Sequence, residues 1–441
     1  MYNLAIIGGG PAGYTAASKA LKCGLNVVMF EKQAIGGVCL NEGCIPTKTL
    51  LYSAKQFFNA KNADKYGVYA QNVEYNWSRI QQRKTKVIRK LQAGIRAKLN
   101  SENCKYVASE AVVKKYSDSC VIIEADGQTY ESEKLLVCTG SVNFVPPISG
   151  IESEYVLNST SALNLQELPQ SIIIVGGGVI GMEFATLYHE LGIEVTVVEA
   201  LPRILANVDN DIVDYLSAKY KKNGVRFLTD TRVQSIEDNR VICSHDNEFL
   251  TLEADKILVC IGRRPNLCGI ESLNLELEGR GIKIDEYGRT SLPNVYAAGD
   301  VTGKLMLAHV ASRQAEVAVG HIVGNVESTI DYNAVPSVVY TNPEIASIGM
   351  RQSDKSDLLV KQVPMTFSGR FVAENEAENG LCKVVYQPDG TIVGAHLIGN
   401  VSSEIISLFS MSISQRLRIN DIETIIFPHP TVSEIFKEAL L

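Results

Sequence analysis

The sequence predicts an α/β protein with two similar units, because one pattern of strand, glycine-rich turn, helix, strand and acid occurs twice. The first copy runs from Leu4 to Glu31 and the second from Ile172 to Glu199. In each copy the first glycine precedes the acid by 23 residues. At about 100–200 residues per domain, a chain of 441 residues has room for two to four domains. The repeated pattern is typical of Rossmann-like, dinucleotide-binding domains.

The first copy, "LAIIGGGPAGYTAASKA", supplies the parts that a dinucleotide site needs. Gly8 permits a tight turn, Gly10 lets the backbone approach a pyrophosphate, and Gly13 lets helix and strand pack closely. The helix N-terminus offers unpaired N–H groups to the phosphates. Glu31 ends the next strand and would accept hydrogen bonds from ribose hydroxyls. A glycine-rich turn without a ligand is the alternative, and the second full copy argues against it.

The second copy, "SIIIVGGGVIGMEFATLYHELGIEVTVVEA", repeats the glycines as Gly176, Gly178 and Gly181 and the acid as Glu199. A carboxylate at this position would repel the 2′-phosphate of NADP, so the second site should prefer NAD. Arg203 is the only nearby basic residue that could indicate NADP. One arginine beside a retained acid does not predict an NADP site.

Composition excludes several classes of protein. Apolar residues make up 46% and charged residues 21%, as in ordinary globular chains. The net charge of −7 and the pI near 5.6 argue against a nucleic-acid partner. The basic stretch 77–99 therefore predicts a solvated helix. The sequence contains no run of 18 or more apolar residues, so no membrane span is predicted. The chain begins almost at once with a strand, so we expect no cleaved targeting peptide. We therefore expect a cytoplasmic protein, although an organelle protein whose presequence has been removed would have the same kind of sequence.

Cys39 and Cys44 form the only close pair among the ten cysteines. A zinc site needs about four ligands, and no second Cys or His pair has suitable spacing. A structural disulfide closing so small a loop would stabilise little and is unusual in the cytoplasm. A redox-active pair beside a cofactor is the third interpretation. The remaining cysteines are expected to be reduced, buried and inert: Cys23, Cys104, Cys120, Cys138, Cys243, Cys260, Cys268 and Cys382.

The residues after the pair favour the redox interpretation. "GCIPTKTLLYSAKQFF" predicts a helix that starts near Cys44, and Pro46 suits its first turn. A helix N-terminus stabilises a cysteine thiolate. Lys48 lies one turn further along the same face and would stabilise negative charge there. A solvated lysine is the alternative interpretation of Lys48.

A third segment, "LPNVYAAGDVTG", predicts a strand that ends at Gly299 and Asp300. Asp300 at the carboxyl end of a strand could meet a polar sugar or ribityl chain. Taken alone, such a Gly-Asp pair is often just a turn.

Together these motifs resemble the class I pyridine nucleotide–disulfide oxidoreductases over the whole chain. The resemblance rests on "GGVCLNEGCIPTKTLL", "GGGVIGMEF", "VVEALPRIL", "CIGRRPN", "VYAAGDV", "MLAHVA" and "FPHPTVSE", in that order. It implies two Rossmann-like dinucleotide-binding domains plus a C-terminal α+β interface domain that forms a homodimer. The implied boundaries are 1–147 for the FAD domain, 148–270 for the NAD domain, 271–335 for a central segment completing the FAD site, and 336–441 for the interface domain.

The resemblance also implies the residues that bind FAD and NAD. FAD would be contacted by Gly8, Gly10, Gly13, Glu31, Lys48, Ala111, Thr139, Gly140, Asp300, Met306, Leu307, Ala308 and His309. NAD would be contacted by Gly176, Gly178, Gly181, Glu199, Val233 and Gly262. Glu183, near the start of the second helix, would pair with Lys48; its alternative is an ordinary helix-surface acid.

In the same way, the resemblance implies a catalytic disulfide between Cys39 and Cys44 and a base, His429, that serves the disulfide of the partner subunit. Pro430 would restrict the backbone at His429, and Glu434 would orient its ring. Glu434 has a second interpretation, because Thr431 to Glu434 also fits a helix-capping box. No metal is expected.

The branch of the family that the motifs resemble oxidises dihydrolipoyl groups with NAD⁺. The lipoyl group would come from a separate carrier protein of a 2-oxo-acid dehydrogenase or glycine-cleavage complex. A glutathione or mercuric reductase is the alternative, and Glu199 and the C-terminal "FKEALL" argue against these two. A non-catalytic flavoprotein would be expected to lack one of the catalytic groups. Asn342 and Glu42 depart from the family pattern, and Glu42 adds negative charge near the cysteine pair.

Overall fold

The computed structural model describes residues 1–246, 248–326, 329–376 and 378–441. The described residues form two compact units. The first comprises Met1–Thr49, Ser78–Phe144 and Gly262–Ile330. The second comprises Leu50–Trp77, Val145–Ile261 and Asp331–Leu441.

In both units the glycine-rich turn joins a strand to a helix, and elsewhere several strands follow one another directly. The strands are β1 (Tyr2–Ile7), β2 (Val27–Phe30), β3 (Cys104–Val107), β4 (Ala111–Ser117), β5 (Cys120–Ala125), β6 (Gln128–Val137), β7 (Ser141–Asn143), β8 (Val156–Leu157), β9 (Ser171–Val175), β10 (Glu194–Val198), β11 (Arg226–Leu228), β12 (Arg232–Glu237), β13 (Arg240–His245), β14 (Glu248–Glu253), β15 (Lys256–Val259), β16 (Arg263–Pro265), β17 (Leu277–Glu278), β18 (Gly281–Ile282), β19 (Val295–Ala297), β20 (Ser337–Val339), β21 (Ile345–Gly349), β22 (Leu359–Val363), β23 (Leu381–Tyr386) and β24 (Ile392–Ile398). The helices are α1 (Pro11–Lys22), α2 (Gly37–Glu42), α3 (Cys44–Lys61), α4 (Trp77–Leu99), α5 (Ser159–Ala162), α6 (Val179–Glu190), α7 (Asn210–Lys222), α8 (Ala308–Ile322), α9 (Gly369–Glu374), α10 (Ser402–Ser414), α11 (Ile419–Glu423) and α12 (Ile435–Glu438).

The first unit is built on a parallel sheet in the order β3-β2-β1-β6, with β19 beside β6. Its central strands β1 and β2 are short apolar runs that are mostly buried, as parallel strands generally are. Ile7 pairs with Phe30 and with Val137, so these strands end at one edge. Ala297 also pairs with Val137 at that edge. The residues after each strand therefore gather there, where parallel sheets bind ligands.

The second unit contains the repeat of this arrangement. Its parallel sheet has the order β11-β10-β9-β15-β8. Val175 pairs with Val198 and with Val259, so the second glycine turn and Glu199 leave the same edge. The antiparallel strands β12, β13 and β14 form a separate sheet.

The C-terminal part of the second unit is α+β. Its antiparallel sheet has the order β20-β21-β24-β23-β22. Helices α10 and α12 contribute apolar side chains to its core, where Phe409 and Phe436 meet edge to face with ring centroids 4.3 Å apart. Two Rossmann-like sheets and this α+β portion confirm the predicted fold class.

Most of the minor predictions about local structure also hold. The basic stretch 77–99 is the helix α4. Among the described residues, no helix combines the length and apolar character needed to cross a bilayer. The prediction that the cysteines other than Cys39 and Cys44 are buried is wrong in part. Cys23 and Cys268 are exposed, because Cys23 lies at the C-terminus of α1 and Cys268 in a turn; Cys104 and Cys120 are half-buried, whereas Cys138, Cys243, Cys260 and Cys382 are buried.

A buried polar cluster joins α6 to the segment that follows β20. Glu190, the last residue of α6, accepts a hydrogen bond of 2.6 Å from the Asn342 amide. The Asn342 backbone N–H donates to the Tyr220 hydroxyl at 3.2 Å. Burial raises the pKa of Glu190 to about 7, although the Asn342 bond and the charges of Lys55 and Lys219 oppose this. Asn342, one of the departures from the family pattern, therefore serves to satisfy a buried carboxyl group.

Glu190→Gln should stabilise the protein at alkaline pH. The folded-state pKa of Glu190 is about 7 against an ordinary value of 4.5. The stability contributed by the neutral carboxyl is therefore complete below about pH 4.5 and is lost as the pH rises through 7. Glutamine keeps the acceptor for Asn342 without the charge. The gain in free energy of unfolding should grow from pH 5 to 8 and reach roughly 2–3 kcal/mol.

Thermal unfolding of both proteins across this pH range, at one protein concentration, measures the difference. Glu194→Gln, at an exposed position of β10, is the control and should show no such trend. Parallel stability curves for the wild type and Glu190→Gln would contradict the assignment.

Candidate functional site

The first glycine turn is held by backbone contacts too close for any side chain. A Cβ atom on Gly13 would lie 1.8 Å from the Gly8 carbonyl oxygen. Gly8 has φ +110°, and a Cβ there would lie 2.0 Å from the Cys138 carbonyl oxygen. Gly10, by contrast, faces open space, where a Cβ would meet only the Gly37 Cα at 3.8 Å. Two glycines thus pack the turn, and the third leaves room at the N-terminus of α1.

The Glu31 carboxylate is fixed beside this turn. One oxygen accepts a 2.8 Å hydrogen bond from the Gly9 backbone N–H, and the other accepts a 2.8 Å bond from the N–H of Gln33. A carboxylate oxygen can accept more than one hydrogen bond, so both keep acceptor capacity. The acid is therefore placed to meet hydroxyl groups of a ligand seated on the turn.

The Thr139–Gly140 segment lies against the same turn, directly after Cys138. The Thr139 hydroxyl donates to the Asn266 carbonyl oxygen at 2.5 Å, and the Asn266 N–H donates to the Gly140 carbonyl oxygen at 2.9 Å. These bonds tie the end of β6 to the residue that follows β16.

Asp300 begins a short 3₁₀ turn after β19. Its carboxylate accepts a 2.6 Å hydrogen bond from the Ser141 hydroxyl. The preceding Gly299 donates its N–H to the buried Gln314 side chain at 2.6 Å, and a Cβ on Gly299 would lie 3.4 Å from the Cβ of Ala12 in α1. The strand end predicted from sequence is thus packed against the first glycine helix.

The predicted flavin contacts 306–309 and Ala111 lie in the same unit. Met306 and Leu307 directly precede α8, which begins at Ala308, and His309 is exposed. Helix α8 packs on α1, where the Thr15 hydroxyl donates to Ser312 at 3.2 Å. Ala111 is the buried first residue of β4.

The second turn repeats the geometry of the first. A Cβ on Gly181 would lie 1.9 Å from the Gly176 carbonyl oxygen, whereas one on Gly178 would meet nothing within 4 Å. Val233 lies on β12, and Gly262 follows β15 with φ +122°.

Glu199 occupies the position of Glu31 in this second turn. Its oxygens accept hydrogen bonds from the Gly177 N–H at 2.6 Å and the Leu201 N–H at 2.8 Å. Arg203 forms an ion pair with Asp214. An arginine committed to a carboxylate is a poor receptor for a 2′-phosphate, which agrees with the predicted preference for NAD.

Both turns fit a dinucleotide. Each presents a glycine whose Cβ position is open, a helix N-terminus, and a carboxylate anchored by two backbone N–H groups. An open Cβ position is what close approach of a pyrophosphate requires.

Cys39 and Cys44 lie together at the junction of two helices. Cys39 is in α2, Gly43 separates the helices, and Cys44 is the first residue of α3, as predicted. The Cys44 side chain, hydrogen-bonded to Cys39, raises the pKa of Cys39, and burial raises it further, whereas Lys48 lowers it. The two sulfurs are thus within reach of each other, with a cation nearby. In the part of the chain that the structure describes, no group of three or more His, Cys, Asp or Glu side chains is arranged to hold a metal ion.

The cysteine pair is anchored to the first glycine turn. The Gly36 N–H, at the N-terminus of α2, donates to the Gly9 carbonyl oxygen at 2.8 Å. Tyr14 in α1 also faces the pair: burial raises the pKa of Tyr14, and Cys39 and Cys44 raise it further. A ligand seated on the turn would therefore lie beside the thiols.

Sequence reasoning missed two residues: Tyr14, whose pKa is raised by burial and by the cysteine pair, and Arg263, which donates to the Ser141 hydroxyl at 2.8 Å and to the Asn143 side chain at 2.6 Å. Tyr14 directly follows Gly13, and Arg263 stands in the quoted motif "CIGRRPN". The position of Tyr14 within the glycine motif was a signal that it lies beside any bound ligand. Arg263 gave no signal of its partners, because they are distant in sequence.

His429 and Glu434 form the predicted pair. The His429 Nδ1 lies 2.9 Å from one Glu434 oxygen, and the Thr431 backbone N–H donates to the other oxygen at 2.8 Å. The Thr431 bond and the His429 contact lower the pKa of Glu434. The acid therefore does both things that its sequence allows: it caps the turn and holds the imidazole. The His429 side chain is 77% exposed in the single chain.

Glu183 is a buried residue of α6, with only 4% of its surface exposed. One of its carboxylate oxygens accepts a 3.2 Å hydrogen bond from the Tyr340 N–H. An ordinary surface acid, the alternative interpretation, is therefore wrong. The pairing of Glu183 with Lys48 stays a prediction.

Comparison with known proteins agrees with this geometry. The pyridine nucleotide-disulphide oxidoreductase profile matches residues 2–315, and the profile of the dimerisation domain of the same family matches residues 335–440. The chain is 35% identical to the dihydrolipoyl dehydrogenase of Geobacillus stearothermophilus, covering 98% of this chain and 94% of the relative. It is 36% identical to that of Mycoplasma pneumoniae, covering 99% of this chain and 97% of the relative.

Solved structures give the same result. LpdA from Mycobacterium tuberculosis superposes with a TM-score of 0.91 at 28% identity, covering 99% of each chain. The HOCl-induced flavoprotein disulfide reductase RclA from Escherichia coli, solved as a Cu(II) complex, superposes with a TM-score of 0.87 at 28% identity, covering 100% of this chain and 98% of that one.

Gly178→Ala and Gly181→Ala should separate ligand binding from folding. Alanine at 178 meets no protein atom, so the fold should survive while NADH affinity falls at least about tenfold. Alanine at 181 would clash with the Gly176 carbonyl and should lower the free energy of unfolding by about 3 kcal/mol. Thermal unfolding and NADH titration measure the two effects. Equal NADH affinity for Gly178→Ala and the wild type would contradict the assignment of the second glycine turn as the NAD-binding site.

Glu434→Gln should weaken the hold on the His429 ring more than it impairs folding. Glutamine can still accept from the Thr431 N–H, but it cannot stabilise a protonated His429. The rate at which a dithiol reduces the cysteine pair should fall by about 10- to 100-fold, with a shifted pH profile. Glu438→Gln, in the neighbouring helix α12, is the control and should leave both unchanged. An unaltered pH profile for Glu434→Gln would show that the acid only caps the turn.

Proposed function

The chain belongs to the pyridine nucleotide-disulphide oxidoreductase family, and from this premise we propose that it is a dihydrolipoamide:NAD⁺ oxidoreductase. Members of this family are FAD-dependent disulfide oxidoreductases that use NAD(H), which confirms the predicted enzyme class and cofactors. The substrate would be a dihydrolipoyl group on a separate carrier protein of a 2-oxo-acid dehydrogenase or glycine-cleavage complex. The dihydrolipoyl dehydrogenases among the relatives, which the chain matches over nearly its full length, support this substrate.

One observation carries the proposal. Two neighbouring cysteines lie where α2 is followed by α3, and the N-terminus of α2 is hydrogen-bonded to the first glycine turn. A dithiol–disulfide pair exchanges two electrons, and a dinucleotide seated on that turn would lie beside it. Neither a structural disulfide nor a metal site explains why the pair is attached to the turn.

We assign the FAD-binding residues to the first turn and its surroundings, and the NAD-binding residues to the second turn. Gly8, Gly10, Gly13, Glu31, Thr139, Gly140 and Asp300 would hold FAD, with Lys48, Ala111 and 306–309 as further contacts. Gly176, Gly178, Gly181, Glu199, Val233 and Gly262 would hold NAD. When bound, FAD supplies the two-electron relay between the cysteine pair and NAD⁺. The domain division at 147, 270 and 335 belongs to the same proposal.

For the thiol chemistry we propose the following steps. His429 of the partner subunit takes the proton from one substrate thiol, because only the thiolate is a nucleophile. That thiolate attacks the Cys39 sulfur of the Cys39–Cys44 disulfide and expels Cys44 as a thiolate. The N-terminus of α3 and the Lys48 ammonium stabilise this charge. The second substrate thiol then attacks the first substrate sulfur, passes its proton to the departing Cys39 sulfur and breaks the mixed disulfide. The substrate leaves as a cyclic disulfide, and the cysteine pair holds the two electrons.

The dimer would make the site complete. The matched dimerisation domain supports a homodimer. In the single chain the His429 side chain is largely exposed, and nearby in sequence Ile426 is 94% exposed. A large apolar side chain exposed to this degree is consistent with an interface. We also propose a cytoplasmic location, where NAD and lipoyl carrier proteins are available.

Anaerobic mixing with dihydrolipoamide tests the function. The purified yellow protein should develop long-wavelength absorbance, as expected when a thiolate lies against bound flavin, and then form NADH when NAD⁺ is added. No response to dihydrolipoamide, but a response to NADPH with glutathione disulfide or mercuric ion, would keep the family and overturn the substrate. No response to any of these reagents would favour a non-catalytic flavoprotein.

Cys44→Ser should abolish lipoamide turnover and the long-wavelength band. It should spare electron transfer from NADH to an artificial acceptor, because that reaction does not use the cysteine pair. Steady-state assays of the two activities measure the separation. Cys268→Ser, at an exposed cysteine in a turn, is the control and should keep both activities. Full lipoamide activity in Cys44→Ser would refute the scheme.

A further inference from the structure

Helix α4 is strongly basic within an acidic chain. Residues 77–99 contain eight of the 42 lysines and arginines and no aspartate or glutamate, whereas the whole chain has a net charge of −7. One row of these cations follows a spacing of four, three and four residues, which places it on one face of the helix: Arg79, Arg83, Lys86 and Lys90. A solvated face is the ordinary interpretation of such a row, and the contacts of α4 with its neighbours point to a more specific role.

Two hydrogen bonds attach α4 to the two helices that carry the thiol pair. The Gln92 amide nitrogen donates to the Asn41 side-chain oxygen in α2 at 2.7 Å. The Arg83 guanidinium donates to the Thr49 carbonyl oxygen in α3 at 2.9 Å. Asn41 follows the first cysteine of the pair by two residues, and Thr49 follows the second by five. Helix α4 therefore lies alongside the junction of α2 and α3.

The attachment at Asn41 is fixed from both ends of its amide. While its oxygen accepts from Gln92, its nitrogen donates to the Gly37 carbonyl oxygen at 2.9 Å. The same nitrogen lies 3.1 Å from the Ala34 carbonyl oxygen and 3.2 Å from that of Ile35. An amide with all its partners within the protein holds one orientation. The position of α4 beside the thiol pair is thus set by specific bonds.

Three exposed cations lie between the two attachment points: Lys86, Arg89 and Lys90. Gln92 follows Arg83 by nine residues, a rise of about 13 Å along the helix. The three charges are therefore confined to the stretch of α4 that runs past the thiols. Within the ranges that the structure describes, none of the three forms an ion pair, so their charge is directed to solvent or to a partner.

The thiols themselves are accessible from the same surface. Cys39 and Cys44 are half-buried in the single chain. In the proposed function the substrate sulfurs are tethered to a carrier protein, so the carrier's own surface must come close to the residues around the thiols. A basic surface at that place favours an acidic one on the partner. The negative charge of the whole chain disfavours a nucleic acid, which would extend beyond α4.

We propose that Lys86, Arg89 and Lys90 form a docking surface for an acidic face of the protein that carries the dihydrolipoyl group. The inference rests on the proposed function, because that function requires a protein-bound substrate. The docking surface guides the carrier toward the thiols, and the cysteine pair performs the chemistry. Exposed charges of this kind act mainly on the rate of association, and salt screens them.

Two dihydrolipoyl-lysine peptides test the proposal on the FAD-loaded full chain. In one peptide the modified lysine is flanked by glutamates, and in the other it is flanked by the same number of glutamines. At low ionic strength, kcat/KM for the glutamate peptide should exceed that for the glutamine peptide by about tenfold. This excess should disappear at about 0.5 M salt, where charges are screened over a few ångströms.

Changing the docking surface to Lys86→Gln, Arg89→Gln and Lys90→Gln together should remove most of the excess. Glutamine is a good helix former, so α4 should keep its structure, which thermal unfolding checks. A matched control removes the same number of positive charges at exposed positions of α1, β3 and β4 in the same unit, and it should keep the excess: Lys22→Gln, Lys105→Gln and Lys115→Gln.

Equal kcat/KM values for the two peptides, or an excess that survives in the α4 variant, would overturn the proposal. Tighter binding of a single-stranded DNA of equal net charge than of the glutamate peptide, measured by fluorescence anisotropy, would overturn it in favour of a nucleic acid.

Free dihydrolipoamide separates this inference from the proposed function, because it is uncharged and needs no docking. A protein that fails to oxidise it lacks the proposed function. Anisotropy of the oxidised lipoyl peptides still reports docking in that case, since binding requires no turnover. Oxidation of free dihydrolipoamide at equal rates by the wild type and the α4 variant is expected, and a large loss in the variant would show that the cations act on the chemistry and not on docking.

Discussion

The close approach of a helix to the strand before it is the constraint on which the rest of this protein depends. In both turns a backbone carbonyl oxygen occupies the space where a side chain of the helix would begin, at Gly13 and again at Gly181. This contact sets each helix N-terminus against the carboxyl edge of its sheet. That edge then determines the positions of the two anchored carboxylates, of the segment after β6, of Asp300 and of the helix that begins at Cys44. Surface loops could vary widely without disturbing this arrangement.

Much of the site could be predicted because its signals are local. Strand, turn and helix in the dinucleotide motifs are neighbours in sequence, so spacing alone locates both turns and both acids. The helix beginning at Cys44 follows from Pro46 and the apolar pattern. The two interpretations of Glu434 were also local, and a carboxylate has two oxygens, so the structure satisfies both at once.

What could not be predicted depends on contacts between distant segments. Nothing near Glu183 or Glu190 in the sequence indicates burial, because both lie on a helix whose polar residues would ordinarily face solvent. Their partners, Tyr340 and Asn342, are about 150 residues further along the chain. Arg263 belongs to the same class, since its partners lie on a strand more than a hundred residues earlier. Pairing of this kind is decided by strand register and domain packing, which single-sequence periodicity does not contain.

The two bonds of Glu434 link the orientation of the His429 ring to the integrity of the last helical turn. The same carboxylate closes the turn through Thr431 and holds the ring of His429, so unwinding the final dozen residues would release the imidazole as well as the cap. An end that is frayed or clipped would therefore leave the His429 ring free to rotate before either unit lost its fold.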